Sequence, residues 1–359
     1  MTCTCQSRIR SRAAWITLSF LALALVALPA SAQKVNVTYL TSDINAVGAF
    51  TDANLVNPWG MSIAPGGAWW ISDNGTGLST LYIASGQPQS LVVTIPSGTG
   101  QGTGTPSGTV YNATANFKIN GQSTPFLFCT EDGTISGWYG GTTAFIAVNN
   151  NGNGAVYKGM TLASAAGANY LYVANFHAGT VEVYDGSYNP HSFGSNAFVD
   201  TSIPSGFAPF NVQLIGSNRI VVTYAKQDAQ KHDDVPGPAN GYVDVYDTQG
   251  NLQFRLTHTI YLNSPWAVVV APSNFSGFGN DLLIGNFGSG LISAYNASNG
   301  TWLGNMQNVA DLPIQIDGLW GLTFGNGGSG GPTNTLFFTA GPYGEGHGIF
   351  GAITPHPGM

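Results

Sequence analysis

The sequence has little charge and almost no cysteine. Asp, Glu, Lys and Arg make up 8% of the 359 residues, and only three residues are cysteine. Cys3 and Cys5 belong to a predicted leader, so Cys129 alone remains in the exported chain and cannot form an internal disulfide. Cys129 ends the apolar run at residues 126–129, which predicts a buried, inert thiol.

Long hydrophobic runs are absent except at the N-terminus. Arg8, Arg10 and Arg12 precede the apolar stretch at residues 13–28, and Ala30-Ser31-Ala32 has the small-x-small pattern of a cleavage site. This pattern is typical of a secretory signal peptide over residues 1–32, the alternative being a membrane anchor. We therefore expect a secreted or periplasmic protein without a membrane span.

Basic residues are scarce after the leader. Residues 33–359 contain seven Lys and Arg against 17 Asp and Glu, a net charge of −10. Such an acidic exported chain is a poor partner for nucleic acid or anionic membranes. We expect a monomer that binds a small molecule, a glycan or a protein.

Local catalytic signatures are missing. The sequence has no G-x-S-x-G elbow, no H-E-x-x-H and no P-loop, and residues 228–234 lack the alternation, central Gly and closing Glu of an EF-hand. The Gly-rich strings follow turns and do not open helices, so they are not dinucleotide fingerprints. The sequence alone therefore leaves open whether the protein is an enzyme.

A repeat of short apolar runs separated by Gly, Asn, Asp, Ser and Pro is present throughout. Residues 57–95 and 264–304 both start with Pro-Trp-(Gly/Ala), and weaker copies start near Pro125, Gly159, Pro209 and Leu319. About 50 residues with four short strands is typical of a propeller blade. The sequence therefore predicts an all-β fold, a single six-bladed β-propeller over residues 33–359.

The last unit shows only three strands. We predict that residues 35–40 supply its outer strand and close the ring, the alternative being a linear solenoid. The Gly/Thr-rich segment at residues 98–109 is expected to be a mobile loop between the first two blades. Trp59, Trp266 and Trp320 start inner strands, where we expect them to pack between blades, the alternative being a lining of the channel mouth.

Polar residues concentrate in the turns between second and third strands. In a propeller these turns share one face with the connections that enter each blade, around the mouth of the central channel, and binding residues favour such loops. Turn chemistry alone also favours Asp and Asn, though not His. The candidate binding rim consists of Asp73, Asn74, Glu131, His177, Asp228, His232, Asp233, Asp317, Glu345 and His347.

Several whole motifs resemble an uncharacterised family of exported bacterial proteins, some of which carry a PEP-CTERM tail. They are NPWGM, VANFHAGTVEVYD, the stretch from TYAKQD to GYVDVYD, LLIGNFGSGLISAY, GLWGLTFGNG and TAGPYGEGHGIFGAI. The resemblance implies export and a propeller-like fold, with no activity attached. The ending ITPHPGM lacks the tail motif, so anchoring is not implied here. The blades are more distantly similar to six-bladed propellers of the NHL and gluconolactonase types, some of which hold a divalent metal in the pore.

Two functions remain in competition. The first is a binding or scaffold propeller that uses the polar rim. The second is a hydrolase or lactonase in which Ca²⁺ or another divalent metal at the channel mouth polarises a carbonyl or activates water. Its acids and bases would come from Asp228, His232, Asp233, Asp317, Glu345 and His347.

Overall fold

The computed structural model describes residues 1–4, 34–275 and 277–356. The predicted signal peptide lies almost entirely outside these described residues and stays a prediction. From Lys34 onward the described residues belong to one compact unit. Within the described residues, none of the helical segments has the length and hydropathy of a membrane span.

The described chain is built of short strands bounded by turn residues. The first two strands belong to the last sheet and are β1 (Val35–Ser42) and β2 (Phe50–Thr51). Blade 1 consists of β3 (Pro58–Ile63), β4 (Trp69–Asp73), β5 (Leu78–Tyr82) and β6 (Pro88–Thr94).

Blade 2 has its first strand separated from the others by a small hairpin. In chain order these strands are β7 (Pro106–Tyr111), the hairpin β8 (Lys118–Ile119) and β9 (Gln122–Ser123), then β10 (Phe126–Thr130), β11 (Thr134–Trp138) and β12 (Phe145–Asn149). The 3₁₀ helix Asn151–Asn153 leads into blade 3, which consists of β13 (Tyr157–Ala165), β14 (Ala168–Asn175), β15 (Thr180–Asp185) and β16 (Pro190–His191).

The last three blades follow without interruption. Blade 4 consists of β17 (Phe207–Ile215), β18 (Arg219–Lys226), β19 (Gly241–Asp247) and β20 (Leu252–Arg255). Blade 5 consists of β21 (Pro265–Val270), β22 (Asp281–Asn286), β23 (Ile292–Asn296) and β24 (Trp302–Asn305). Blade 6 consists of β25 (Leu319–Phe324), β26 (Leu336–Ala340) and β27 (Ile349–Pro355), with β1 and β2 beyond them.

The first and last strands of the described chain pair with each other in the sixth sheet. β1 pairs antiparallel with β27, in a register that joins Val35 to Pro355 and Ser42 to Ile349. Blade 6 is also hydrogen-bonded to blade 1, because the side-chain amide of Asn326 donates to the carbonyl of Ala64 (2.8 Å). Together with the six sheets, these contacts describe a six-bladed propeller and not a linear solenoid.

The loop expectation for residues 98–109 is wrong at its C-terminal end. Pro106–Tyr111 is β7, the innermost strand of blade 2, so this blade starts well before Pro125. Small residues are needed here because neighbouring inner strands approach closely: a Cβ on Gly108 would lie 2.8 Å from the backbone nitrogen of Met160 in blade 3. The low-complexity composition of residues 98–109 therefore led to the wrong prediction of a loop where β7 begins.

The six inner strands run in the same direction along the central channel. In blade 1, Pro58 pairs with Asp73 at one end and Ile63 with Trp69 at the other. We call the end where the inner strands begin the upper mouth, and the opposite end the lower mouth. The turns between second and third strands lie at the upper mouth.

Three tryptophans fill the channel below the upper mouth. Trp59, Trp266 and Trp320 are buried, and the rings of Trp59 and Trp320 stack with centroids 3.6 Å apart. Trp266 meets both rings edge-on, at 6.3 Å from Trp59 and 5.8 Å from Trp320. These tryptophans, the tryptophan plug, thus belong to the core as expected, but they pack on one another inside the ring of inner strands.

Candidate functional site at the upper channel mouth

A buried lysine lies at the centre of the upper mouth. Lys158 is the second residue of β13, and its side chain is only 1% exposed. Its ammonium forms ion pairs with the carboxylates of Glu131, in the turn after β10, and of Asp233, where the Nζ–Oδ1 distance is 3.1 Å. It also lies 5.0 Å from the ring centre of Trp59, within range of a cation–π interaction. The upper surface of the plug therefore carries a fixed positive charge.

The two carboxylates keep this lysine charged. Burial by itself would lower the pKa of Lys158, but the charges of Glu131 and Asp233 outweigh burial and raise it. Burial would likewise raise the pKa of Asp233, but the ammonium of Lys158 and the neighbouring His232 hold it below its usual value. The ion pair is thus fully formed at neutral pH.

A chain of amide hydrogen bonds extends this cluster to blade 6. The side chain of Asn74 donates to Glu131 Oε2 (2.6 Å). The Nδ2 group of Asn57 lies 3.3 Å from Asn74 Oδ1 and 3.2 Å from Glu345 Oε1, and donates to both oxygens. Asn57 is held in turn by the indole N–H of Trp320, which donates to its Oδ1 (3.0 Å). The plug therefore orients the polar network above it.

Two further acids at this mouth have raised pKa values. Burial and the charge of Glu131 raise the pKa of Glu345 to about 7, despite the hydrogen bond from Asn57. Burial raises the pKa of Asp234 to about 6. Acids with perturbed pKa values in a polar cluster are typical of functional sites.

His232 and Asp233 reach the mouth on the long turn between β18 and β19. Within this turn the carboxylate of Asp228 accepts a hydrogen bond from the backbone N–H of His232 (2.8 Å). Gln227 anchors the turn by donating to the carbonyl of Phe176 (2.6 Å). His232 Nδ1 then lies 3.0 Å from Asp233 Oδ1. The turn thus directs both side chains towards Lys158.

The donor atoms of Glu131, His232 and Asp233 lie within 4.8 Å of one another, as in a three-ligand metal site. However, Glu131 and Asp233 both pair with the ammonium of Lys158, which provides the positive charge that a metal would bring. A divalent cation between them would be repelled by the ammonium. The residues present therefore do not fit a metal while Lys158 is charged.

Five of the ten predicted rim residues lie in this network. They are Asn74, Glu131, His232, Asp233 and Glu345.

Asp73 is not on the rim, because it is fully buried inside blade 1. Its Oδ2 accepts a hydrogen bond from Thr80 (2.8 Å), and burial raises its pKa well above the usual value. Asp73 is the last residue of β4 and its side chain is buried in the blade, whereas the side chain of the next residue, Asn74, reaches the mouth.

The other four predicted residues lie outside the network. Asp228 supports the turn described above, and His177 is exposed, with no hydrogen bond from its ring among the described residues. His347 binds Asp43 (Nδ1–Oδ2 2.7 Å). Asp317 accepts from the backbone of Tyr343 (2.9 Å) in a separate pocket of about 230 Å³.

The ten candidate residues do not include Lys158, Asn57 or Asp234, and the repeat itself carries a signal for Lys158. It occupies the same second position of an inner strand as Trp59, Trp266 and Trp320, and Gly159 follows it as Gly60 follows Trp59. With β13 aligned on the other inner strands, this position predicts a side chain in the channel.

Comparisons with known proteins identify relatives but no function. No family model matches the chain. The uncharacterised protein R648 of Acanthamoeba polyphaga mimivirus is 33% identical over 299 residues, which cover 80% of this chain and 73% of R648. The uncharacterised protein L690 of the same virus is 30% identical over 302 residues, covering 80% of this chain and 78% of L690. These relatives are viral, so the bacterial source and the PEP-CTERM tail of the resembled family stay predictions.

Solved structures share the fold at low sequence identity. A protein of unknown function from Bacteroides thetaiotaomicron has a TM-score of 0.55 at 11% identity, covering 89% of this chain and 76% of that chain. Virginiamycin B lyase from Staphylococcus aureus has a TM-score of 0.52 at 13% identity, covering 90% and 99%. A gluconolactonase from Xanthomonas campestris has a TM-score of 0.47 at 12% identity, covering 84% of this chain and 87% of that chain. At such identities the likeness of this chain to these structures concerns the fold alone.

Proposed function

This chain belongs to the family of the uncharacterised mimivirus proteins R648 and L690, and we propose that it is an exported binding protein. Its ligand is a small molecule rich in amino or hydroxyl groups, held at the upper mouth. The observation that carries this proposal is an excess of carboxyl groups over cations: Glu131 and Asp233 pair with the single ammonium of Lys158, and the same charge also acts on Asp234 and Glu345.

The donors of the network are already engaged. Lys158 donates to two carboxylates, Asn57 donates to Asn74 and Glu345, and Asn74 donates to Glu131. The carboxylate of Asp233, by contrast, is 65% exposed, and its Oδ2 has no partner among the described residues. A ligand must therefore bring donors, which favours amines, amino sugars and polyols over anions.

The scaffold supports binding without large rearrangement. The tryptophan plug closes the channel directly beneath the site, and Trp320 fixes Asn57. Lys158 is locked by its two carboxylates and by Trp59. A preformed polar site over a rigid floor loses little entropy when it binds a small ligand.

Titration calorimetry with putrescine, glucosamine and glucose tests this proposal. We expect at least one of these probes to bind, and Asp233→Asn combined with Glu345→Gln to weaken its binding about tenfold or more, because two carboxyl groups that can form charge-assisted hydrogen bonds become neutral amides. Asp311→Asn is the matched control, since that exposed acid pairs with Lys34, outside the network. Absence of binding at millimolar probe, or equal loss in the control, would overturn the proposal.

The competing function is a metal-dependent hydrolase or lactonase, supported by the proximity of Glu131, His232 and Asp233. The pairing of Lys158 argues against a metal in the unmodified protein. We therefore expect elemental analysis to find no stoichiometric divalent metal, and EDTA or Ca²⁺ to leave the melting temperature unchanged. Stoichiometric metal, with hydrolysis of lactones lost in His232→Ala, would favour the hydrolase instead.

Export is a separate part of the proposal and rests on the pattern of residues 1–32. Expression of the full chain in a bacterial host, followed by mass spectrometry of the periplasmic fraction, tests it. We expect a mature chain that starts at Gln33. Recovery of uncleaved chain from the cytoplasm would contradict export and leave the binding proposal untouched.

A further inference from the structure

The lower mouth of the channel opens into a cavity that the proposed function does not use. The cavity has a volume of about 340 Å³. It is walled by side chains from the inner strands of blades 1, 2, 3, 4 and 6. Among its twelve lining residues are Met61, Tyr111, Met160, Leu162, Gln213 and Thr323. Because the walls are the inner strands of a closed ring, the cavity is preformed.

The cavity ends blindly below the tryptophan plug. A smaller space of about 30 Å³ continues it inwards between Met61, Met160 and Gln213, and reaches Trp266. Glycines line this inner space where the strands approach one another: a Cβ on Gly60 would lie 2.5 Å from the carbonyl oxygen of Ser107. The lower cavity is thus separated from the upper network by the buried indoles.

The walls of the lower cavity are uncharged, unlike those of the upper mouth. None of the twelve lining residues in the described part of the chain is acidic or basic. Their polar groups are hydroxyls and the amide of Gln213, whose Nε2 makes only a long hydrogen bond of 3.4 Å to the backbone of Leu214. Met61 and Met160 supply flexible, polarizable walls that adapt to the shape of a ligand.

From these observations we infer that the lower mouth is a second binding site, for an uncharged and largely apolar small molecule. The volume lies within the range of small-molecule sites, about 300–1,000 Å³. A charged ligand would lose its hydration without meeting a counter-charge, which is unfavourable. An apolar ligand with a carbonyl or hydroxyl group gains burial along the walls and a hydrogen bond to Gln213.

A neighbouring cavity indicates that the ligand is elongated. This second cavity, of about 330 Å³, shares Tyr111, Leu162 and Leu214 with the first and extends outwards over blades 2, 3 and 4. Its other lining residues, among them Ala113, Ala163 and Ser217, are also uncharged. A ligand can therefore extend from the channel across the lower face without meeting a charged residue of the lining.

Fluorescence titration with the uncharged probe N-phenyl-1-naphthylamine tests the site. We expect saturable binding to the intact chain, and weaker binding of the anionic relative 8-anilinonaphthalene-1-sulfonate. Gln213→Glu places a charge in the cavity at nearly constant volume and should reduce the affinity for the uncharged probe about tenfold or more. Thr323→Trp fills the cavity and should abolish binding.

Two matched controls establish whether the probe binds in the lower cavity. Gln253→Glu makes the same chemical change on the outer strand β20 and should leave probe binding unchanged. Asp233→Asn with Glu345→Gln should also leave it unchanged, which distinguishes failure of this site from failure of the upper one. No saturable binding, or affinities in Gln213→Glu and Thr323→Trp equal to that of the unsubstituted chain while both remain folded by circular dichroism, would overturn the inference.

Discussion

The two mouths of the channel are built on the same six strands but have opposite chemistry. On β13, Lys158 and Met160 are only two residues apart, and the pairing with β14 is irregular between Tyr157 and Gly159. Lys158 belongs to a charged network above the tryptophan plug, whereas Met160 lines an uncharged cavity below it. Within two residues of the same strand, the environment of the side chains thus changes from a charged network to an uncharged cavity.

The two mouths also differ in how much they contribute to the stability of the fold. The upper mouth contains a buried ion pair and a continuous hydrogen-bond network, so its residues depend on one another. The residues of the lower mouth border an open cavity and form few hydrogen bonds with one another. We therefore expect substitutions at the upper mouth to affect both stability and binding, and substitutions of polar residues at the lower mouth to affect binding alone.

The largest effect should follow Lys158→Met. Removal of the ammonium leaves Glu131 buried without a counter-charge, and we expect the free energy of unfolding to fall by about 3–5 kcal/mol. Urea denaturation measures this loss. Lys118→Met, at an exposed lysine, is the control and should stay within about 0.5 kcal/mol.

A second variant tests the cause of that loss. Combining Lys158→Met with Glu131→Leu removes the buried ion pair, and we expect it to recover part of the stability because a buried Glu131 carboxylate no longer lacks a counter-charge. If the single and double variants are equally unstable, packing around the aliphatic chain of Lys158 is the cause, and the contrast between the mouths does not depend on charge.

The pH dependence of stability should also distinguish the mouths. The pKa of Glu345 is raised in the folded protein to about 7 from its usual value of 4.5, so the folded state binds the proton more tightly than the unfolded state. Its contribution to stability is therefore fully present below pH 4.5 and is lost as the pH rises towards 7. Glu345→Gln should flatten this decline by about 1–3 kcal/mol.

The measurement is urea denaturation of the unsubstituted chain and of Glu345→Gln from pH 4 to pH 8. Thr323→Val at the lower mouth is the control and should follow the pH dependence of the unsubstituted chain, because no acidic or basic residue lines that cavity. Equal slopes for Glu345→Gln and the unsubstituted chain would show that Glu345 titrates without coupling to folding.

A smaller effect is expected for Asp233→Asn. Asp233 binds the same ammonium as Glu131, but its carboxylate is 65% exposed while that of Glu131 is 9% exposed. Solvent screens the exposed partner, so we expect a loss of about 1 kcal/mol or less by urea denaturation. A loss as large as that of Lys158→Met would mean that the long turn carrying Asp233 supports the fold.

The propeller and the location of its polar turns could be predicted from the sequence because both follow from local patterns. Short apolar runs specify strands, and turn residues mark their ends, so the blades and the position of Glu131 in a turn of the upper mouth followed directly. The strand at Pro106–Tyr111 was missed because its first residues, Pro106, Ser107, Gly108 and Thr109, continue the composition of the Gly/Thr-rich segment before it.

The composition of the site was harder to predict because burial and pairing depend on contacts between blades. Asp73 and Asn74 are adjacent in sequence, yet one is buried inside blade 1 and the other binds Glu131 of blade 2. Lys158 pairs with Asp233, 75 residues away. No local pattern specifies such pairs, although the alignment of inner strands shows which positions enter the channel.

The smallest effect on stability is predicted for Thr323→Val at the lower mouth. The hydroxyl of Thr323 donates to the carbonyl of Leu322, its neighbour in the chain (2.7 Å), and the side chain is half-buried at the cavity wall. Because the two side chains have nearly the same shape and the freed carbonyl meets an open cavity, urea denaturation should show a change within about 0.5 kcal/mol. A loss above about 1 kcal/mol would mean that the lower mouth is as tightly coupled to folding as the upper one, and the contrast between them would then be one of charge alone.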